Sequence, residues 1–199
     1  NTLYLLGTAS GAGAMGGFLS AILDDVVEVA RDKALASPSS RLQLPLGLML
    51  DEIVNMFRWG GLPRAMADGG GRGICTFVVL QALSQAETAW SRAEADTIWA
   101  AATAKVLLGG ASHVDHLRDI EALLGQREVR RVSESWSTTS SGSNMSEQHE
   151  RLPLMTVDEI RRMPPSLGLL AYRNRRGVLL DLSGWDARDD AAQVRAGKA

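Results

Sequence analysis

The sequence contains a single cysteine, Cys75, so no internal disulfide can form, and a reducing compartment is the expected setting. Net charge is also scarce. The formal value is -2, which gives no overall attraction to nucleic acid and leaves only local patches to supply it. Long hydrophobic runs are missing as well. The most membrane-like stretch, residues 18–30, is broken by Asp24 and Asp25 and is too short to span, and no signal-peptide pattern precedes it. There are three histidines, and the spaced pair His113 and His116 lacks a third ligand of suitable kind, which argues against a metal centre. What is present is an apolar share of 45 % in 199 residues, enough for one domain with a real core.

The apolar pattern alternates between strand-like and helix-like segments. Residues 3–7 form a short apolar run ending at glycine, the pattern of a buried strand. Residues 14–36 read as a helix whose face is marked by Phe18, Ile22, Val26 and Val29, and Pro38 ends it. Residues 44–50 and 74–80 are continuously apolar, as expected of strands buried on both faces of a parallel sheet. Between them a helix is expected over 62–68, then a flexible glycine loop over 69–73. Residues 84–103 read as helix with a break near Trp90, and residues 105–108 as a short strand. Ser112 is placed to cap a helix that Gly125 ends.

The character changes at Ser133. From there to Ser146 serine and threonine dominate, so residues 133–149 are expected to be a mobile loop. Thr156 and Glu159 then have capping-box spacing. Residues 167–172 and 178–182 read as a hairpin around an arginine-rich turn. Taken together this is an α/β chain with a mostly parallel sheet flanked by helices and a C-terminal β-hairpin, with one domain over residues 1–185 and a polar tail over 186–199.

Four features bear on chemistry. Asp51 and Glu52 follow an apolar strand, which puts two carboxylates at the C-terminal sheet edge where ligands of open α/β sheets bind. There an Asp can orient magnesium and its waters, and a Glu can polarise an attacking water. The alternative is an ordinary strand end, with Asp51 capping the next helix. Gln81 ends the following strand and would lie beside Glu52 if the strands are neighbours. Arg72 sits among glycines, free to project toward a neighbouring subunit's nucleotide or simply into solvent. The fourth feature is a decoy. Residues 8–17 look like a phosphate loop between strand and helix, but have no lysine and no GK[ST], so they read as a small-residue turn. Asp158-Glu159-Ile160 repeats the earlier triplet without a buried strand before it, and Cys75 reads as a packed core thiol. Trp59, Trp90 and Trp99 read as helix-edge packing residues, with Trp59 close enough to the acidic pair to touch a nucleotide base.

In these residues the chain resembles the TraG/TraD family of conjugative coupling proteins, the motor ATPases of type IV secretion systems. The matching text is LGLMLDEIVNM (46–56), GGGRGICTFVVLQALSQAE (69–87), AAATAKVLLGG (100–110), RLPLMTVDEIRRMP (151–164) and LLAYRNRRG (169–177). The resemblance implies the C-terminal half of a RecA-like P-loop domain. It makes Asp51 and Glu52 the Walker B pair, with Asp51 holding magnesium through water, Gln81 the γ-phosphate sensor and Arg72 an arginine finger acting across a subunit interface. It also implies ATP and Mg2+ as cofactors of the full-length protein, none bound to this part alone, and an assembly that is hexameric, anchored at the cytoplasmic face of the bacterial membrane and engaged with relaxosome proteins, secretion-channel components and single-stranded DNA. The family's membrane helices, phosphate loop and all-helical insertion would lie upstream, so this part alone is expected to be inactive.

Competing readings are a recognition module that docks relaxosome or channel proteins, and a hexameric translocase of the FtsK-like kind. For DNA, the candidate contacts are the basic turn Arg173, Arg175 and Arg176, and a basic strand face of Arg127, Arg130 and Arg131.

Overall fold

The structure is a computed structural model that describes residues 2–6, 14–110, 113–136 and 143–197. It divides into two compact units, Asn1–Thr103 and Ala104–Ala199, where the sequence suggested one domain.

The first unit opens with residues 2–6 in no regular structure, so the expected strand is absent there. The small-residue turn over residues 8–13 lies outside the described residues. Helix α1 (Ala14–Leu35) buries Leu19, Leu23, Val27, Ala30 and Ala34, a stripe one residue out of phase with the one expected. Phe18 and Val29 are exposed instead. Two overlapping apolar stripes run along this helix, and the small residues favour the inward one. Gly16 marks the closest approach, since an added Cβ would come 2.9 Å from Phe57.

Strand β1 (Leu46–Leu50) pairs in parallel with β2 (Ile74–Val78), joined through α2 (Ile53–Met56) and α3 (Leu62–Arg72). Only one face of this pair is covered. Leu48, Leu50 and Ile74 are buried, while Met49, Phe77 and Cys75 are exposed, which corrects the expectation of burial on both faces and of a packed thiol. The expected glycine loop is instead the last turn of α3. Pro63 stands in its first turn and Gly73, at φ 86°, closes it in the left-handed cap conformation. The helix continues through the glycines for two reasons. Gly69 lets it approach β2, where an added Cβ would meet Ile74 at 3.3 Å. Arg41 Nη1 donates to the carbonyls of Gly70 and Gly71 at 2.6 and 3.2 Å, satisfying helix-end acceptors. Helices α4 (Leu83–Ala89) and α5 (Arg92–Ala101) are separated at the expected break, where the Ser91 hydroxyl accepts from the Glu94 N–H.

Trp59, Leu62, Ile74 and Val27 form the centre of this core. Trp59 is completely buried and donates its indole N–H to Asp24 Oδ1 at 2.7 Å, while its carbonyl accepts from Trp90 Nε1 at 2.8 Å. It is therefore a core residue that cannot touch a nucleotide base. The buried Arg31 joins α1 to α3 through Asp68, Nη2 to Oδ1 at 2.9 Å.

In the second unit, β3 (Ala104–Leu108), β6 (Leu167–Tyr172) and β7 (Val178–Asp181) make an antiparallel sheet in the order β3-β6-β7. The C-terminal hairpin is as expected, but β3 pairs with it instead of extending a parallel sheet, so β1-β2 is the only parallel pair among the described residues. Helix α6 (Val114–Leu124) has His113 at its cap position, with Ser112 outside the described residues, and ends at Gly125 with φ 78°. Helix α7 (Val157–Arg161) opens with the expected capping box, in which Thr156 and Glu159 bond reciprocally. Leu117, Ile120, Leu124, Ile160, Met163 and Leu169 pack as the core.

The serine-rich segment departs most from expectation. Strands β4 (Gln126–Trp136) and β5 (Ser143–Pro153) form one antiparallel ribbon, which places residues 133–136 and 143–149 in a ladder rather than a loop; residues 137–142 lie outside the described residues. Backbone pairing needs no apolar side chains, and opposite charges across the ribbon assist it: Arg130 pairs with Glu147, and Arg131 Nε lies 3.1 Å from Glu150. The polar tail is also ordered in part, as a short 3-10 turn (Trp185–Ala187) and helix α8 (Ala191–Ala196), both exposed.

Candidate functional site

The parallel pairing of β1 and β2 brings two of the expected residues together. The ladder runs from Leu46 opposite Ile74 to Leu50 opposite Val78, and Val79 N–H extends it to the Leu50 carbonyl at 3.0 Å. Both strands therefore end at the same edge. Asp51 and Glu52 leave β1 there as exposed carboxylates, and Gln81 leaves β2 beside them. The Gln81 Nε2 donates to Glu52 Oε1 at 2.9 Å.

Glu52 holds an unusual backbone conformation, φ 47° and ψ 35°, in the left-handed region that non-glycine residues rarely occupy. It stands at the cap position of α2 without a side-chain cap bond, so its carboxylate is turned to other partners. Besides Gln81 it accepts from Asn55 Nδ2, at Oε2 and 3.4 Å. Gln85, on α4, donates its Nε2 to Gln81 Oε1 at 3.3 Å. Asn55 and Gln85 are absent from the sequence-derived site, yet their spacing was available. Asn55 follows Glu52 by three and Gln85 follows Gln81 by four, distances that meet on one helical turn.

Arg72 is not part of this edge. It ends α3, just before β2 begins, and its Nε faces Asp68 Oδ2 at 3.9 Å. With about 3.3 Å of rise per residue, a five-residue strand puts roughly 17 Å between it and the Glu52–Gln81 end. It is a half-buried helix-end arginine with a carboxylate partner, not a freely projecting loop residue.

The basic candidates lie in the second unit. Arg173, Arg175 and Arg176 are exposed on the β6–β7 turn. Arg173, at φ 49°, stacks its guanidinium over the Tyr172 ring at 5.4 Å. Arg130 and Arg131 meet the carboxylates of β5, so the expected basic strand face is largely neutralised. Asp158 and Glu159 are structural. Hydrogen bonds from Arg162, then Arg161, hold the Asp158 carboxyl below its ordinary range. The Thr156 backbone N–H, followed by its hydroxyl, does the same for Glu159. His113 and His116 stack with ring centroids 4.3 Å apart, and no group of three or more metal-ligating side chains exists among the described residues. No helix among them is long and apolar enough to cross a membrane.

Comparison with solved structures gives the fold a counterpart. The bacterial conjugative coupling protein TrwBdeltaN70, in its unbound monoclinic form, superposes with a TM-score of 0.63 at 24 % identity, covering 85 % of this chain and 38 % of that one. TrwB in complex with the non-hydrolysable ATP analogue ADPNP gives 0.61 at 23 % identity, with the same coverages. TrwB with ADP and Mg2+ gives 0.61 at 23 %, covering 85 % of this chain and 37 % of that one. The chain thus has an α/β fold of this kind and spans somewhat over a third of the length of the structures it matches. No curated protein sequence matches it. Residues 45–165, which include both strand ends and α7, match the family described as the TraM recognition site of TraD and TraG. That match takes in more than half of the chain, which therefore belongs to the family of the TraM recognition site of TraD and TraG.

Proposed function

We propose that this chain carries the carboxylate edge of a nucleotide site in a conjugative coupling ATPase, as the C-terminal half of a RecA-like domain. The observation that carries this reading is the 2.9 Å hydrogen bond from Gln81 to Glu52 at the shared end of two parallel strands. An amide that touches the water-activating carboxylate could sense the γ-phosphate and couple hydrolysis to movement. Asp51 and Glu52 suit Mg2+, which binds through one or two carboxylates together with substrate phosphates and keeps its waters, without an all-protein cage. When bound, the ion would neutralise charge on the phosphates of ATP. Glu52 would then hold and orient the attacking water and accept its proton, and Asp51 would fix the ion through water. The TrwB structures with a nucleotide analogue and with ADP and Mg2+ support the same choice of ligands.

The chain has no GK[ST] sequence, so the lysine that grips the β- and γ-phosphates must come from elsewhere in the assembly, and the 199 residues alone should not turn over ATP. Arg72 lies at the far end of the strand pair, which supports action on a neighbouring subunit's nucleotide over its own. The complete protein would work as a hexamer at the cytoplasmic face of the membrane, passing single-stranded DNA and its pilot protein to the secretion channel. Arg173, Arg175 and Arg176 are the candidate phosphate contacts.

The test is Glu52→Gln in the complete protein. Loss of a positioned general base should lower ATP turnover by about 100-fold or more with nucleotide binding retained. Turnover within twofold of the unsubstituted protein would remove Glu52 from the mechanism.

A second reading, supported by the family match itself, is a docking module for a relaxosome protein of the TraM kind. It predicts retained capture of such a protein by the 199-residue chain when Asp51 and Glu52 are both replaced by alanine. Loss of capture in that variant would tie docking to the acidic edge instead.

A further inference from the structure

We infer that Gln85 and Asn55 are positioning residues for Glu52, with Gln85 acting at one remove through Gln81. The inference rests on reading Glu52 as the carboxylate that activates water.

The chemistry of a primary amide gives the reason. A glutamine can present either its oxygen or its NH2 to a neighbour, and only the NH2 is attractive to a carboxylate. Nothing in Gln81 itself decides between the two. Glu52, which can only accept, draws the NH2 at 2.9 Å, and Gln85 Nε2 reinforces that choice by occupying Gln81 Oε1 at 3.3 Å. On the other side, Asn55 Nδ2 reaches Glu52 Oε2 at 3.4 Å. The carboxylate is thus held at both oxygens, from α2 and from the end of β2. The backbone of Glu52 is strained, and strain of this kind persists where surrounding contacts over-determine a conformation. Each contact is solvent-exposed and weak alone, so their role is to set direction, not to add much stability.

This orientation device makes a directional prediction. Gln85→Met keeps the side-chain length and deletes the donor. Gln85→Glu goes further: an acceptor at position 85 competes with Glu52 for the Gln81 NH2 and leaves the Gln81 oxygen without its donor. Turnover in the complete protein should therefore fall about threefold for Gln85→Met and about tenfold for Gln85→Glu, the scale of one exposed and one contested hydrogen bond, with KM for ATP changed less than twofold. In a Gln81→Ala background the two Gln85 variants should differ from each other by less than twofold, because the intermediary is gone. On the 199-residue chain, the Gln81 side-chain amide resonances should move in Gln85→Glu and in Glu52→Ala.

Equal losses for Gln85→Met and Gln85→Glu, or the same gap between them with Gln81→Ala, would overturn the relay, as would Gln81 amide resonances unmoved by Gln85→Glu. A complete protein that hydrolyses no ATP overturns the nucleotide reading and the purpose assigned to the clamp, whatever the resonances show. Turnover that responds to Glu52→Gln but not to any Gln85 variant overturns the positioning role alone.

Discussion

Replacing Trp59 with phenylalanine should destabilise the first unit by about 2–3 kcal/mol without touching nucleotide chemistry. The magnitude has two parts. Trp59 is wholly buried, so the smaller ring leaves about 40 Å3 of space, which at about 24 cal/mol per Å3 costs about 1 kcal/mol. The indole N–H also donates to Asp24 Oδ1 at 2.7 Å; a hydrogen bond to a charged group contributes about 1.5–3 kcal/mol, and the exposed carboxylate puts this one at the low end. With a urea m-value of about 2 kcal/mol per molar, the midpoint should fall by roughly 1–1.5 M. Urea titration followed by tryptophan fluorescence and by far-UV circular dichroism measures this, and Asp24→Asn alone, which keeps a neutral oxygen acceptor, should cost less than the hydrogen-bond share. A midpoint shift below about 0.3 M would refute the buried, bonded placement of Trp59. So would a loss of nucleotide affinity in the complete protein beyond what partial unfolding explains.

Other perturbations follow from the same geometry. Gly109→Ala should destabilise the second unit by about 1–3 kcal/mol, since the added Cβ would lie 2.1 Å from the Met163 carbonyl oxygen; a melting temperature within 2 °C of the unsubstituted chain would refute that packing, given roughly 4–8 °C per kcal/mol for a unit of this size. Gly73→Ala forces a side chain into φ 86° against Leu42 and Arg41, and should cost about 1–2 kcal/mol in chemical denaturation. Acidification should weaken the second unit through α7. Asp158 and Glu159 have carboxyl groups held below their ordinary range, so their stabilisation is present above about pH 4 and is lost as pH falls through the lower folded values. Thermal melts between pH 6 and 2.5 should show a shallower acid limb in Asp158→Asn, and an unchanged limb would count against the Arg162 pairing. Arg72→Ala should leave the Glu52–Gln81 contact intact and lower turnover only in assembled protein, which mixing with subunits carrying Glu52→Gln would reveal.

Much of the acidic edge was legible in the residues. An apolar strand that ends in Asp51-Glu52 and another that ends in Gln81 follow from hydrophobic runs bounded by polar groups, and the capping box at Thr156 follows from spacing alone. The local grammar also separated α4 from α5, and paired β6 with β7. Local pattern failed wherever a distant partner decided the outcome. The glycines before Arg72 became helix because Ile74 needs close approach and Arg41 satisfies their carbonyls. The serine-rich segment became a ribbon because β4 and β5 supply each other with backbone and charge partners. Strand β3 joined the C-terminal hairpin by pairing with residues sixty or more positions away.

The residues at the strand end, then, are determined by sequence, because a run of apolar side chains that stops at carboxylates can bury only up to that point. Their arrangement is decided by tertiary structure. That Glu52 meets Gln81 depends on the parallel register of β1 and β2, whereas the contacts of Asn55 with Glu52 and of Gln85 with Gln81 are local. Register is a long-range property: it is fixed by which faces pack on Trp59 and Leu62, and no single segment contains that information.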